Sequence, residues 1–123
     1  PDVEFDSQIN MPSLDFQKYC RDLSIFSEVI TIRSGPTGLE LISDGDFAKQ
    51  HVRVNQNEES MVISKGNEVV EGVYSVKYLN LFTKSTNLSN VVELYLMNNY
   101  PLILVYYVGN LGKLQYCLAP KVL

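Results

Sequence analysis

Apolar and polar residues alternate along most of this chain, and a period of two marks half-buried β-strands. The opening stretch DVEFDSQIN alternates at Val3 and Phe5, with Ile9 following. Residues 28–34 (EVITIRS) and 38–43 (GLELIS) flank a Gly-Pro turn and predict a hairpin. Residues 47–55 (FAKQHVRVN) predict another strand, set off by the turn sequence DGD. Residues 60–66 (SMVISKG) and 67–76 (NEVVEGVYSV) are separated by Lys-Gly-Asn, which reads as a second hairpin. A closing meander is expected from residues 90–98 (NVVELYLMN), 100–108 (YPLILVYYV) and 112–120 (GKLQYCLAP), with turns at NNYP and GNLG.

Two segments switch to the helical period. In PSLDFQKYCRDLS, Ser13 behind Pro12 reads as an N-cap and residues 14–23 as helix. Phe16, Tyr19, Cys20 and Leu23 fall on one stripe, with Leu14, Lys18 and Arg21 opposite. In KYLNLFTKS, Lys77 and Lys84 share a face with Asn80, while Tyr78, Leu79 and Phe82 point the other way. The order is strand, helix, three strands, then two strands, helix, three strands. It predicts an α+β fold built on a duplicated β-α-β-β-β unit, with one additional strand before the second helix.

Composition narrows the class. The 123 residues make one domain, 46% hydrophobic, with no apolar run near the roughly 18 residues of a membrane helix. The opening PDVEFDSQIN places acids where a secretory signal carries cations, and it lacks an initiator Met, which points to an excised piece of something longer. Cys20 and Cys117 read as buried free thiols of a reducing compartment rather than as a disulfide. A net charge of −4 argues against coating a polyanion with the whole surface and leaves a local basic face open.

Tests for chemistry return little. The single histidine, His51, lies in a strand pattern with no nucleophile assigned to it. DGDF lacks the later ligands of a calcium loop. GNLGK fails as a phosphate loop, with Tyr107 where glycine is needed and Leu114 after the lysine. Asp15 and Asp22 read as a solvated helix flank. What remains is that Lys18, Arg21, Lys77 and Lys84 project from the only two helices. Amphipathic helices ordinarily show charge outward. The sharper alternative is one basic surface offered to a polyanion. With no cluster suited to base edges, it would touch phosphates weakly and without regard to sequence.

MPSLDFQKYCRDLS, KYLNLFTKST and the terminal YCLAPK, in this order and spacing, resemble the C-terminal domain of proliferating cell nuclear antigen, the eukaryotic sliding DNA clamp. The likeness covers about residues 3–122. It implies the DNA-clamp fold, with two helices packed on antiparallel sheets. Residues 1–123 would then be the C-terminal domain of a two-domain subunit, without the N-terminal domain and connector. Three subunits close a ring around duplex DNA in the nucleus and tether polymerases, nucleases, ligases and the clamp loader during replication and repair. It implies no catalysis, cofactor, metal or membrane.

By position, the resemblance makes Lys18, Arg21, Lys77 and Lys84 DNA-facing, with Leu14 as a spacer. It makes Phe47, Ala48, Lys49, Gln50, His51, Val52, Arg53 and Val54 the edge strand that pairs with a neighbouring subunit. It assigns Tyr100, Pro101, Cys117, Ala119, Pro120, Lys121 and Val122 to a groove for extended partner peptides. The full-length protein would be a homotrimer and this fragment a monomer. Cys117 replaces an aromatic common in that groove, Ile25 a polar or cationic residue, and the RSGPTG turn lacks the lysine that carries ubiquitin in some members. Two further readings stay open: a subunit of a heterotrimeric checkpoint clamp, and a small α+β enzyme or ligand-binding domain.

Overall fold

The computed structural model describes residues 5–36, 38–55, 61–64, 69–98 and 100–121. β1 (Ser7–Pro12) runs straight into α1 (Ser13–Leu23), and β2 (Val29–Gly35), β3 (Gly38–Asp44) and β4 (Lys49–Asn55) follow as a meander. β5 (Met61–Ser64) and β6 (Val70–Ser75) precede α2 (Val76–Phe82), which tightens into a 3₁₀ segment, Thr83–Leu88. A second meander closes the chain: β7 (Val91–Leu96), β8 (Leu102–Tyr107) and β9 (Lys113–Leu118).

The strands form two antiparallel sheets, ordered β5-β1-β7-β8-β9 and β4-β3-β2-β6. The expected duplication is present, with β5 as the additional strand. Each half lends its pre-helix strand to the meander of the other: β1 pairs with β7, and β6 pairs with β2. This exchange makes one core of the two halves. Ile9, Met11, Phe16, Cys20, Leu23, Ile30, Leu41, Leu79, Leu94 and Leu104 are all buried in it. Each large aliphatic or aromatic side chain there contributes about 1.5–3 kcal/mol of hydrophobic stabilisation.

α1 presents Phe16, Cys20 and Leu23 to this core, as its periodicity predicts, with Tyr19 packed half-buried beside them. Asp15 in its first turn and Arg21 in its last suit the helix dipole. α2 is shorter than its pattern suggests. Hydroxyls bond backward in its continuation, Thr83 Oγ1 to the Asn80 carbonyl (3.2 Å) and Thr86 Oγ1 to the Thr83 carbonyl (2.6 Å). Such local bonds compete with the α-helical ladder and accompany the tighter winding. Lys84 therefore stands on the 3₁₀ segment rather than on α2.

Several expectations need correction. Ser13 is the first helical residue and Pro12 occupies the cap, so Ser13 caps nothing. Its hydroxyl instead donates to the Ser89 carbonyl, and its N–H to that of Asn90 (3.0 Å). No hairpin joins β5 to β6, because β5 pairs with β1 and β6 with β2 in the other sheet. Turn chemistry at residues 65–67, which lie outside the described residues, does not decide which sheet edge a strand covers. β4 starts at Lys49, since Gly45 and Ala48 are taken up by a turn (Gly45 N–H to Ala48 O, 2.9 Å). β1 starts at Ser7, and Val3 lies outside the described residues. The β2–β3 turn needs glycine at 38: φ is +143°, and a Cβ there would sit 2.6 Å from the Val54 carbonyl oxygen.

Candidate nucleic-acid interface and partner surfaces

α1 and α2 lie side by side, and Gln17 Nε2 donates to the Thr83 carbonyl (3.1 Å) where the second helix changes winding. Gln17 and Arg21 thereby meet Asn80, Thr83 and Lys84 along a groove of about 250 Å³. Asn80 also borders a neighbouring hollow of about 390 Å³ lined by Ser24, Ser27, Glu28, Lys77 and Lys121. Arg21, Lys77 and Lys84 are exposed and enter no ion pair among the described residues. Lys18 differs: its Nζ lies 3.7 Å from Asp22 Oδ2, one turn on. The structure thus brings Arg21, Lys77 and Lys84 onto one continuous helical face, with Lys18 alongside on α1 and partly neutralised.

Apolar side chains stand among these cations. Leu14 (68% exposed), Ile25 (75%), Leu81 (53%) and Leu88 (51%) all face solvent. Residues 76–89 contain no Asp or Glu, so nothing on α2 or its continuation can quench Lys77 or Lys84 locally. Tyr78, expected to point inward with Leu79, is half exposed; its ring lies 6.4 Å from that of Phe82, which stacks on Tyr116 at 4.6 Å.

The residues assigned to a peptide groove divide between two places. Tyr100 packs edge-on against Phe5 (centroids 5.9 Å apart), and both join Tyr95, Met97, Ile103 and Val105 in an apolar cluster on the outer face of the five-stranded sheet. Cys117 lies opposite Ile103 on that face. It is exposed, contrary to the expected burial, because β9 is an edge strand and position 117 faces outward. Cys20 is the buried thiol, and burial pushes its pKa up to about 12, leaving it unreactive. Pro101 and Pro120 are half-buried and Ala119 is exposed. Lys121 departs from the group: its N–H donates to the Val73 carbonyl (2.7 Å), and the residue lines the hollow it shares with Lys77. Val122 lies outside the described residues.

Sequence reasoning missed Phe5 and the outward residues of β7 and β8 as a cluster. The near-continuous apolar run of β8, buried on both faces, was the available signal. Tyr95 Oη donates to Glu93 Oε1 (2.8 Å) at its border; desolvation and this bond raise the phenol well above its ordinary pKa.

On the four-stranded sheet, β4 has β3 on one side and no strand on the other among the described residues. Phe47 just ahead of it is fully exposed; Ala48, Lys49, His51 and Arg53 are exposed, Val54 is buried, and Gln50 and Val52 are half-buried. An exposed edge of this kind is a template for another strand. Among the described residues no helix is long and apolar enough to span a membrane, and no three His, Cys, Asp or Glu side chains gather to hold a metal.

Two interlocked antiparallel sheets, one basic helical face and an open sheet edge define a DNA-clamp type of α+β domain. Residues 1–121 match the family described as Proliferating cell nuclear antigen, C-terminal domain, and the chain belongs to that family. It is a sliding-clamp domain.

Proposed function

We propose that this chain is the C-terminal domain of a two-domain clamp subunit, three of which close into a ring around duplex DNA. The ring works in the nucleus as a processivity factor, holding replication and repair proteins on DNA rather than transforming a substrate. The observation that carries this reading is the convergence of Arg21, Lys77 and Lys84, from both helices, on one face where they enter no ion pair among the described residues. Lys18 joins them. A few free cations suit contacts with passing phosphates that are weak and blind to sequence.

In the same reading, residues 47–54 form the seam with the next subunit, and the chain on its own is a monomer. Extended peptides of polymerases, nucleases, ligases and the clamp loader dock against Tyr100, Pro101, Cys117, Ala119 and Pro120, with Phe5 extending the wall. The replicative clamp, rather than a checkpoint-clamp subunit, is favoured by the LAPK tail, whose last residue is tied down on Val73. The test is topological. The intact protein, loaded on DNA, should stay on closed circles and run off linear duplex. Equal retention on both would contradict encirclement.

A further inference from the structure

Carboxylates on the outer faces of the two sheets have different surroundings. On the four-stranded sheet, Glu71, Arg33, Glu40 and Arg53 face one another across β6, β2, β3 and β4. Each acid in that row holds an arginine: Arg33 Nε lies 2.7 Å from Glu71 Oε2, and Arg53 Nη2 lies 3.5 Å from Glu40 Oε1. On the five-stranded sheet, Glu93 sits mid-strand on β7 and enters no ion pair among the described residues. Register sets neutral residues on both sides of it, Asn10 on β1 and Val105 on β8. Across the five strands Glu93 is the only acid and Lys113 the only cation, and Lys113 stands two strands away on β9, opposite Tyr107.

Phenols hold Glu93 in place of a cation. Tyr95, two residues on along β7, donates from Oη to Glu93 Oε1 (2.8 Å). Tyr107 approaches from the other side, on β8 one step beyond the Val92–Tyr106 pair, and a hydrogen bond to Glu93 raises its phenol above the ordinary value. A carboxylate has about four lone-pair sites, so two phenols orient it and leave room for further donors. Glu93 is half-buried. A buried charge without a counter-charge costs free energy, and a neutral glutamine would accept a phenol's hydrogen bond without that cost. Beside Glu93, Val91 (46% exposed) and Tyr107 (51%) leave an open apolar rim.

We propose that this face is a second interaction surface, which binds a partner protein through an arginine seated on Glu93 between the phenols of Tyr95 and Tyr107. A guanidinium forks onto a carboxylate and stacks on aromatic rings, which suits it to this site better than an ammonium. An apolar side chain two positions from the arginine on an extended segment falls about 7 Å away, the spacing that separates Glu93 from Val91. Val91 and Tyr107 stand at the ends of β7 and β8 remote from Tyr100 and Pro101, so the surface is separate from the peptide groove.

Fluorescence anisotropy tests it. The intact protein is titrated with a labelled Thr-Val-Thr-Arg-Thr peptide and with its Lys and Gln counterparts. The arginine peptide should bind at least about ten-fold more tightly than the glutamine peptide, with lysine between them. Glu93→Gln should abolish that preference while unfolding at no lower denaturant concentration than wild type, and Glu71→Gln should leave the preference intact. Tyr107→Ala, at an exposed site, should weaken arginine binding several-fold. A preference that survives Glu93→Gln, full affinity in Tyr107→Ala, or the same response to all three peptides, absence of binding included, overturns the proposal.

Discussion

The helical face and the outer face of the four-stranded sheet hold the same kinds of side chain and treat them differently. On the sheet, Arg33, Arg53 and His51 are all engaged by Glu40 or Glu71. On the helices, Arg21, Lys77 and Lys84 enter no ion pair among the described residues, although Glu28 borders the same hollow as Lys77. The sheet holds cations and anions in register, because each strand contributes to a shared ladder. On α2 and its continuation the helical face gains its sign by omission, since residues 76–89 carry no acid at all. An acidic chain can thus present a basic surface without concentrating cations on it. Ion pairs on an exposed face add little to stability, so the charged ladder is not what holds the fold together.

The sharpest way to break this comparison is to cross from the outward to the inward side of one helix. Phe16→Ala, on the buried stripe of α1, should cost about 3–5 kcal/mol in denaturant unfolding. Replacing Lys18, Arg21, Lys77 and Lys84 together by Gln should change stability by no more than about 1 kcal/mol, because exposed sites rarely matter to folding. A quadruple variant as unstable as Phe16→Ala would make those residues structural. A smaller effect sharpens the exception. Asp22→Asn removes the carboxylate beside Lys18 and should leave folding within about 0.5 kcal/mol. It should steepen the salt dependence of DNA binding by up to about one unit in log–log slope. An unchanged slope would mean that Lys18 does not face the duplex.

Much of the fold was legible because its signals are local. Period-two alternation located the two meanders, and the stripe of Phe16, Cys20 and Leu23 located α1. The exchange of β1 and β6 between halves was not legible, since pairing between strands distant in sequence leaves no mark at the turn. Lys-Gly-Asn reads as a hairpin whichever sheet its flanking strands enter. The shortening of α2 depends on where the Thr83 and Thr86 hydroxyls bond, which composition alone does not fix. At the candidate site, spacing grouped the four cations, and the pairing of one of them went unread. The four-residue spacing of Lys18 and Asp22 was the available signal, since it makes them neighbours on a helix, whereas Arg21 has Gln17 and Ile25 at that spacing. The charge ladder was hidden for the same reason as the strand exchange: Glu71, Arg33, Glu40 and Arg53 become neighbours only through register. Lys121 was grouped with the peptide groove by its place after LAP, whereas its anchored N–H sets it beside Lys77.

The central claim is that the helical face, and not the sheet face, meets the phosphate backbone. The dependence of duplex binding on salt tests it most directly in the intact protein. Each cation in contact should add about 0.9 to the slope of log affinity against log salt. Neutralising Lys18, Arg21, Lys77 and Lys84 should flatten that slope by about one unit per engaged residue, with Lys121→Gln removing up to one more, while Arg33→Gln and Arg53→Gln leave it unchanged. A slope that survives loss of the helical cations and falls with Arg33 or Arg53 would contradict the account.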